Sequence, residues 1–373
     1  MIFDYIIKYS CKFLYFFLKF KKIKNNKVVF ISRLDNKKSL DFKLLEDEIK
    51  KRNKDVECVF ICNRVTSLTD DFWNNVKYTY SCLSNLADSR VCITDSFVPA
   101  ISICRHKKGL KIIQIWHSMG AIKKFAYQTL GMTSGRDIND AKILNMHKGY
   151  NYIISGSAAM TKYFAKAFNY DEKYFLNYGL PRMDYLLNNK DSLKNKILKE
   201  YPILKKKKNI LYAPTFRTTD DDKTIALTKY INYDKYNLIV KAHARQELKT
   251  NNQVLTCDKY SALDLITVAD YIITDYSGIA IEAAILDKKT LYYVFDYEKY
   301  QKNNGLNIDL YKEMPNCVFK DEKELCAFID KDKYDMKTLL KYKNKYIDVQ
   351  DGTSTQKIVD LVYKYLEWFK WKK

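Results

Sequence analysis

The residues best suited to chemistry in this sequence stand at the ends of apolar, strand-like runs. They lie in four stretches: Trp116–His117, Pro214–Arg217, Lys241–His243 and Thr274–Gly278. An imidazole exchanges protons near neutral pH, a guanidinium fork matches the oxygens of a phosphate, and the backbone N–H groups that open a helix bind phosphate. Together these residue types predict a site that transfers a phosphorylated group.

His117 directly follows the apolar run 111–116. If that run is a strand of a parallel sheet, His117 lies at the carboxyl edge, where ligands bind to such sheets. A neutral imidazole there can take the proton of an attacking hydroxyl group, so His117 is the predicted general base. The alternative is a histidine that only stabilises its loop. Lys123 and Lys124 either contact an anionic acceptor or lipid headgroup, or form the solvated face of a helix.

Two further strand ends carry predicted phosphate ligands. Thr215 and Arg217 follow the run 209–213 and offer a hydroxyl and a guanidinium group. His243 follows the run 238–241 and is predicted to donate to phosphate oxygens or to a leaving phosphate. The alternatives are a surface turn for the first two residues and a cap of the following segment for the histidine.

The turn Thr274–Gly278 joins an apolar run to a helix-like segment. Its small polar residues predict phosphate binding at the start of that helix. The Ser277 hydroxyl and the backbone N–H groups of residues 277–279 are the expected ligands. The predicted donor-binding residues of the turn are Asp275, Tyr276, Ser277 and Gly278.

Two carboxylates in this region need another interpretation, because a carboxylate repels a phosphate beside it. Asp275 is predicted to orient His243 or to cap the helix. Glu282 lies one turn into the helix, where it is predicted to bind a ribose or polyol hydroxyl. The alternative is an ordinary surface glutamate.

Apolar runs of strand type alternate with helical patterns along most of the chain. The first series comprises 28–32, 57–62, 90–95, 111–116 and 152–155, and the second comprises 209–213, 238–241, 271–274 and 290–294. Strands that alternate with helices indicate parallel sheets covered on both faces. The predicted fold is therefore α/β, with two doubly wound Rossmann-like domains, and the cleft between them is the expected site.

The same patterns divide the chain into four predicted segments. They are an amphipathic helix over 1–26, a first Rossmann-like domain over 27–189, a second over 190–350 and a C-terminal helix over 351–373. The first segment is aromatic and basic, lacks the basic start and cleavage site of a signal peptide, and is too short and charged to span a bilayer. A helix on the membrane surface is predicted; the alternative is an ordinary first helix packed on its domain.

Composition narrows the class of partner. The chain has 373 residues, enough for two domains, and a formal net charge of +21. Such a charge predicts an anionic partner, such as a nucleotide, a phosphorylated polymer, nucleic acid or an acidic membrane face. Nucleic acid is disfavoured because the 31 tyrosines are dispersed and no helix-turn-helix or zinc-finger spacing occurs. Nine cysteines without a CxxC pair favour buried thiols in a reducing cytoplasm over a zinc site.

Taken together, the motifs resemble the CDP-glycerol glycerophosphotransferase family of teichoic acid synthesis. The matching stretches are Gln114–Lys123, Ser155–Ser157, Gly179–Asp184, Tyr212–Arg217, Lys241–His243, Ala269–Ser277, and Asp351–Gly352 before Lys357. They occur in the order of the family and cover residues 110 to 360. Several motifs in the right order carry more weight than any one of them.

The resemblance implies a GT-B-like fold whose first domain faces the acceptor and whose second binds a CDP-polyol. It implies that His117 activates the acceptor hydroxyl, and that Arg217, His243 and Ser277 hold the donor pyrophosphate. The expected reaction joins a polyol phosphate, above all glycerol phosphate, to a lipid-linked saccharide or polyol-phosphate acceptor and releases CMP. The enzyme is expected on the cytoplasmic face of the cell membrane. The sequence predicts no dedicated metal site, although Mg²⁺ can accompany the donor pyrophosphate.

The sequence departs from the family pattern at several positions. The departures are Ser118 for a common glycine, Ala244 for proline, Gly278 for a second serine, Glu282 for aspartate and Lys357 for arginine. Gly278 and Glu282 leave the donor open between CDP-glycerol and CDP-ribitol. A nucleotide-sugar glycosyltransferase of the same fold is the rival interpretation, because a fold does not determine its function.

Overall fold

A computed structural model of the protein describes residues 2–65, 71–215, 224–241 and 252–366. Arg217 and His243, both predicted to bind the donor, therefore lie outside the described residues. The chain forms two compact units. The first comprises Met1–Met119, Phe125–Asp184 and Thr353–Lys373, and the second comprises Gly120–Lys124 and Tyr185–Gly352. The segment boundaries and domain roles expected from the sequence stay predictions.

The first unit is built on a parallel sheet of six strands. They are β1 Lys27–Ser32, β2 Glu57–Cys62, β3 Val91–Thr94, β4 Lys111–Gln114, β5 Tyr152–Ile154 and β6 Phe175–Leu176. Their order in the sheet is β2-β1-β3-β4-β5-β6. The side chains of β1 and β3 are buried throughout, as expected for strands covered on both faces. β1, β3 and β4 are neighbours, so the chain segments that leave them meet at one edge.

A second parallel sheet of six strands forms the core of the second unit. Its strands are β7 Lys208–Tyr212, β8 Tyr236–Val240, β9 Val254–Leu255, β10 Tyr271–Thr274, β11 Lys289–Tyr293 and β12 Val318–Phe319. Their order is β12-β11-β10-β7-β8-β9. The central pair, β10 and β7, brings two of the predicted donor-binding stretches together. The prediction of two doubly wound α/β units is confirmed.

Helices connect the strands in both units. Those up to residue 200 are α1 Ile2–Leu18, α2 Leu40–Arg52, α3 Phe72–Asp88, α4 Pro99–Ile103, α5 Ile138–Ile143, α6 Ala158–Phe168 and α7 Pro181–Glu200. The later ones are α8 Thr224–Tyr230, α9 Ala262–Leu265, α10 Ile279–Ala284, α11 Tyr297–Asn303, α12 Leu310–Glu313, α13 Glu322–Lys331, α14 Met336–Tyr346 and α15 Ser354–Leu366. Amphipathic helices bury one apolar side; α2, for example, buries Phe42, Leu45 and Ile49.

The first helix packs one side on its unit and exposes an aromatic side. Cys11 and Tyr15 are buried, and the Tyr15 hydroxyl donates to the carbonyl of Leu86 in α3. The large apolar side chains exposed on α1 and the turn after it are Tyr5, Ile6, Tyr9, Phe13, Phe16, Phe17 and Phe20. The alternative of a packed first helix is thus correct for one face and leaves the other open. Within the described ranges, no helix is long and apolar enough to cross a membrane.

The Gly179–Asp184 motif ties together distant parts of the first unit. Buried Asp41, in the first turn of α2, accepts from Nε of Arg182 at 2.9 Å and also from its backbone N–H. Asp184 accepts the backbone N–H groups of Ser354 at 3.1 Å and Thr355 at 2.6 Å, which open α15. Acceptors at helix starts satisfy N–H groups that have no partner inside the helix. The motif therefore holds α2 and α15 in place.

Candidate active site

A buried glutamine shapes the turn that carries His117. Gln114, the last residue of β4, accepts the backbone N–H of Trp116 at 2.8 Å and donates to the Ser96 carbonyl at 3.0 Å. Trp116 has φ +56°, a left-handed conformation that costs free energy for a residue with a side chain. The turn thereby brings His117 next to the end of β3.

The histidine is held there by a main-chain acceptor. Its Nδ1 lies 3.0 Å from the carbonyl oxygen of Asp95. A carbonyl oxygen only accepts, so Nδ1 carries the hydrogen and Nε2 carries the lone pair. The side chain is half-buried. This geometry supports the predicted role of His117 as a general base acting through Nε2.

The Asp95 carboxyl group lies in a buried environment. The residue is 3% exposed, and its Oδ1 has no hydrogen-bond partner among the described residues. Burial raises the pKa of Asp95 to about 7, although the hydroxyls of Ser32 and Ser96 act in the opposite direction. The sequence analysis missed this residue. Its position directly after a strand, beside the one that leads to His117, was the available signal.

A glycine makes room for the continuation of the His117 turn. Gly156 follows β5, and a Cβ atom on it would lie 2.4 Å from the carbonyl oxygen of Met119. Real Cβ atoms do not approach another atom so closely, so only glycine permits this backbone path. The neighbouring Ser157 caps α6 through the Met160 N–H. The Ser155–Ser157 motif thus positions the His117 turn.

Aromatic side chains pack against Trp116 in the turn that carries His117. The Trp116 ring stacks on Phe125 with centroids 5.0 Å apart and meets the ring of His147 at 5.6 Å. Burial lowers the pKa of His147 to about 3, so this imidazole is neutral. His106 is also enclosed, but it lies outside this turn, beside Tyr15 and Ile101. Burial lowers the pKa of His106 to about 4. The sequence assigns neither histidine a role, and in the structure both pack against neighbouring aromatic rings.

In the second unit, Asp275 and Thr215 bind each other. Asp275 accepts from the Thr215 backbone N–H at 3.0 Å and from its hydroxyl at 2.6 Å. It also accepts the backbone N–H of Tyr276 at 2.6 Å. Gly278, rather than Asp275, stands at the N-cap of α10. The capping alternative is therefore wrong, and the alternative with His243 involves a residue outside the described ranges.

The rest of the turn offers backbone donors. Within the described part of the chain, the N–H groups of Ser277 and Gly278 have no hydrogen-bond partner, and both residues are half-buried. The Ser277 hydroxyl accepts the Ile279 N–H at 3.4 Å. Since α10 has only six residues, anion binding here would depend on these local N–H groups more than on a helix dipole.

Two other predicted donor ligands of this region are buried. The Tyr276 ring is fully enclosed, stacks on Tyr300 at 3.8 Å and donates its hydroxyl to Asp296 at 3.0 Å. The Tyr276 side chain is therefore part of the core. Glu282 is 7% exposed, so the alternative of a surface glutamate is wrong. Its role with a ribose or polyol hydroxyl stays a prediction.

The two lysines after the His117 turn lie in extended chain. Lys123 forms a β-bridge with Leu306, and the Lys124 N–H donates to the Gly305 carbonyl at 3.0 Å. The alternative of a helix face is therefore wrong, while contact with an acceptor or headgroup stays a prediction. No set of three or more His, Cys, Asp or Glu residues within the described ranges is placed to hold a metal ion.

Comparison with known proteins agrees with the motif pattern. The family model described as CDP-Glycerol:Poly(glycerophosphate) glycerophosphotransferase matches residues 13–364. The chain is 30% identical over 305 residues to the teichoic acid ribitol-phosphate primase of Bacillus spizizenii (strain ATCC 23059 / NRRL B-14472 / W23), covering 78% of each chain. It is 27% identical over 290 residues to the teichoic acid glycerol-phosphate primase of Bacillus subtilis (strain 168), covering 74% of each.

A solved structure shows the same fold. The wall teichoic acid polymerase TagF superposes with a TM-score of 0.75 at 19% sequence identity, over 97% of this chain and 95% of that one. The resemblance inferred from seven short motifs is confirmed by a match that covers all of them and extends far beyond them on the N-terminal side. This protein therefore belongs to the CDP-glycerol:poly(glycerophosphate) glycerophosphotransferase family.

Proposed function

We propose that this enzyme transfers a polyol phosphate from CDP-glycerol or CDP-ribitol to a hydroxyl group of a lipid-linked acceptor, and releases CMP. The observation that carries the proposal is the bond from His117 Nδ1 to the Asp95 carbonyl, which leaves the lone pair on Nε2. Family membership supplies the substrate class. Ribitol is kept beside glycerol because the two primases described above use different polyols according to their names.

The proposed reaction is a direct displacement. His117 Nε2 takes the proton of the acceptor hydroxyl, and the oxygen attacks the phosphorus that bears the polyol. A new oxygen–phosphorus bond forms as the bond to the bridging oxygen breaks, and CMP leaves with that oxygen. The N–H groups of Ser277 and Gly278 are proposed to bind phosphoryl oxygens, together with Arg217 and His243. Mg²⁺ bound to the donor pyrophosphate would neutralise part of its charge.

The test is CMP release by wild type, His117→Ala and His117→Asn with a lipid-linked disaccharide acceptor. Both variants are expected to lose about a hundred- to ten-thousandfold in turnover, the usual contribution of a general base. Asparagine retains an N–H donor for the Asp95 carbonyl, whereas alanine does not. A loss of turnover in His117→Asn therefore reports loss of the general base and not distortion of the turn. Unchanged thermal unfolding shows that the variants are folded, and normal turnover in either would refute the assignment.

The same assay identifies the donor. CDP-glycerol and CDP-ribitol are compared at equal concentrations, each with the unprimed lipid-linked disaccharide and with its glycerol-phosphate-primed form. The pair that gives the highest kcat/KM names the donor and acceptor. UDP- and GDP-linked sugars serve as controls, and turnover of one of these without CMP release from either CDP-polyol would favour the glycosyltransferase alternative.

The proposal includes binding to the cytoplasmic face of the membrane through α1. Its open side is strongly aromatic: Phe13 is 70% exposed and Phe20 after it is 79% exposed. Lys12, Lys21 and Lys22 are also exposed near these rings. Aromatic side chains insert at the headgroup level, and lysines attract anionic lipids. Both features support a helix that lies on an anionic bilayer.

Sedimentation with lipid vesicles tests this part. Wild type is expected to bind phosphatidylglycerol vesicles more tightly than phosphatidylcholine vesicles, and less tightly at high salt. Changing Phe13, Phe16 and Phe17 to serine should weaken binding by roughly tenfold or more. The matched control changes three exposed tyrosines elsewhere, Tyr174, Tyr230 and Tyr311, to serine. Equal binding by both triple variants would contradict a role of α1.

A further inference from the structure

An arginine that has no acidic partner among the described residues lies beside the His117 turn. Arg33 directly follows β1. Its backbone N–H donates to the Ser96 hydroxyl at 3.0 Å, and its Nη1 donates to the Phe97 carbonyl at 3.2 Å. The side chain is half-buried. Among the described residues it forms no ion pair, so most of its guanidinium N–H groups are not matched by an anion.

A second arginine approaches the same place. The Arg136 guanidinium lies over the Phe97 ring, 5.4 Å from its centroid. Phe97 in turn contacts the ring of His147 at 5.3 Å, and His147 contacts Trp116. Arg136 is exposed and, within the described ranges, forms no ion pair. Both arginines thus border Phe97, at the edge of the sheet that holds His117.

The two positive charges disfavour each other. The pKa of Arg33 is lowered chiefly by burial, and Arg136 lowers it further. A partly buried cation near a like charge is costly unless an anion compensates for both. Arginine forks bind phosphate oxygens in pairs, which makes a phosphate the best-matched anion.

The strand order sets the distance from this pair to the predicted base. β3 lies between β1, which leads to Arg33, and β4, which leads to His117. Neighbouring strands are spaced about 4.8 Å apart, so the two strand ends are about 10 Å apart. An arginine side chain spans much of that gap. A phosphate held by the pair would therefore lie a few bonds from a hydroxyl placed at His117.

We infer that Arg33 and Arg136 form a binding site for a phosphate group of the acceptor, next to the hydroxyl that His117 deprotonates. The inference rests on the proposed function and adds two arginine contacts to the acceptor contacts predicted for Lys123 and Lys124. Two acceptor groups share this chemistry: the pyrophosphate of a lipid-linked saccharide and the phosphodiester of a polyol-phosphate unit already attached.

Steady-state kinetics provide the first test. Arg33→Gln and Arg136→Gln should each raise the KM for the acceptor by about ten- to hundredfold, the loss expected for a hydrogen bond to a charged group. The KM for the CDP-polyol should rise far less. Arg33→Lys should recover only part of the loss, because lysine lacks the fork. Arg136 is exposed, so its variant also guards against misfolding as the cause.

The matched control is Arg105→Gln. Arg105 is an exposed arginine in the connection between α4 and β4. Its change to glutamine removes one positive charge, as the other two variants do. It should leave the KM for the acceptor unchanged. If Arg105→Gln raises that KM as much as the other two variants, net charge explains the effect and the inference is wrong. If wild type transfers and neither Arg33→Gln nor Arg136→Gln changes the KM for the acceptor, the inference fails while the proposed function stands.

Binding measured by calorimetry tests the site without turnover. The probes are inorganic pyrophosphate and the diester bis(glycerol) phosphate, each titrated into full-length protein saturated with CDP. Saturable binding to wild type and Arg105→Gln, lost in the Arg33→Gln/Arg136→Gln double variant, would support the site even if no donor were turned over. Tighter binding of pyrophosphate or of the diester tells which acceptor group is recognised. Absence of binding to wild type, or equal binding to the double variant, would overturn the inference.

Discussion

Both sheets end a central strand with the same two residues, threonine then aspartate, and use them differently. Thr94 donates its hydroxyl to the Ile31 carbonyl at 2.9 Å, and Thr274 donates to the Ala213 carbonyl at 2.8 Å, so the threonines match. The aspartates do not. Asp275 is saturated by neighbouring donors, whereas one oxygen of Asp95 has no partner among the described residues.

The two aspartates differ because the neighbouring strand ends offer them different hydrogen-bond donors. After β7 the chain presents both the N–H and the hydroxyl of Thr215 to the second aspartate. Ser32 at the end of β1 and Ser96 after β3 offer hydroxyl groups to the first aspartate, and its main-chain carbonyl accepts from His117. One Thr-Asp pair thus holds the imidazole of His117 through a main-chain carbonyl, and the other engages its carboxylate with the donors of Thr215 and Tyr276. Under the proposed function, the same local pattern would support base chemistry in one unit and anion binding in the other.

The largest loss of turnover is expected from a change at Gly156, because the turn that carries His117 passes too close to this residue to leave room for a side chain. Gly156→Ala places a Cβ within 2.4 Å of the Met119 oxygen, so the turn that carries His117 must shift. Misplacement of a catalytic group by about 1 Å costs on the order of a hundredfold in rate, and kcat should fall by about that factor. CMP release measures it.

Gly109→Ala is the control for that change. A Cβ there would meet only the end of the flexible Ile23 side chain, at 2.7 Å, and the Arg90 guanidinium, at 3.2 Å. Turnover of this variant should remain close to that of wild type. Equal turnover by the two alanine variants would show that the Met119 contact does not position His117.

Asp275→Asn should destabilise the second turn. The amide replaces one acceptor oxygen with a donor that faces the Thr215 N–H and hydroxyl, in a residue that is 2% exposed. The free energy of unfolding should fall by about 1–3 kcal/mol, measured by denaturant titration. Asp264→Asn, which breaks an exposed capping box, should cost less. A loss of kcat without loss of stability would instead favour the prediction that Asp275 orients His243.

The effect of Asp95→Asn on stability should depend on pH. Burial raises the pKa of Asp95 in the folded protein to about 7, so the folded state holds a proton that the unfolded state releases near pH 4. Stability from this group is therefore lost as pH rises towards 7. Between pH 5 and 8 wild type should lose about 2–3 kcal/mol more than Asp95→Asn. Denaturant titration at pH 5 and pH 8 measures this difference. An equal change in the free energy of unfolding of wild type and Asp95→Asn would contradict the raised pKa of Asp95.

Much of the fold could be predicted from local patterns. The run 57–62 is β2 and the run 271–274 is β10, and the other predicted strands lie within a few residues of the observed ones. The strands β6, β9 and β12 were missed because each has only two residues, too few to show a period. The first helix and its aromatic side were predicted, but that the same helix also packs its other side on the first unit was not.

The candidate site was predictable in its residue types and less so in its contacts. His117 and Ser277 were identified because small polar or titratable residues follow apolar runs. Asp95 and Gly156 were missed because their contacts reach His117 and Met119 from other strands. Tyr276 was assigned to the donor, yet its ring is part of the core. Local spacing does not show which of two neighbouring side chains points inward.

The sequence by itself determined the alternation of strands and helices, the strand-end motifs and, through their order, the family. These features are local, since each depends on the period and composition of a short run. The tertiary structure alone decided the tautomer of His117, the opposite surroundings of Asp95 and Asp275, and the approach of Arg33 to Arg136. Those properties arise between residues far apart in the chain, because parallel strands bring distant segments to one edge of a sheet.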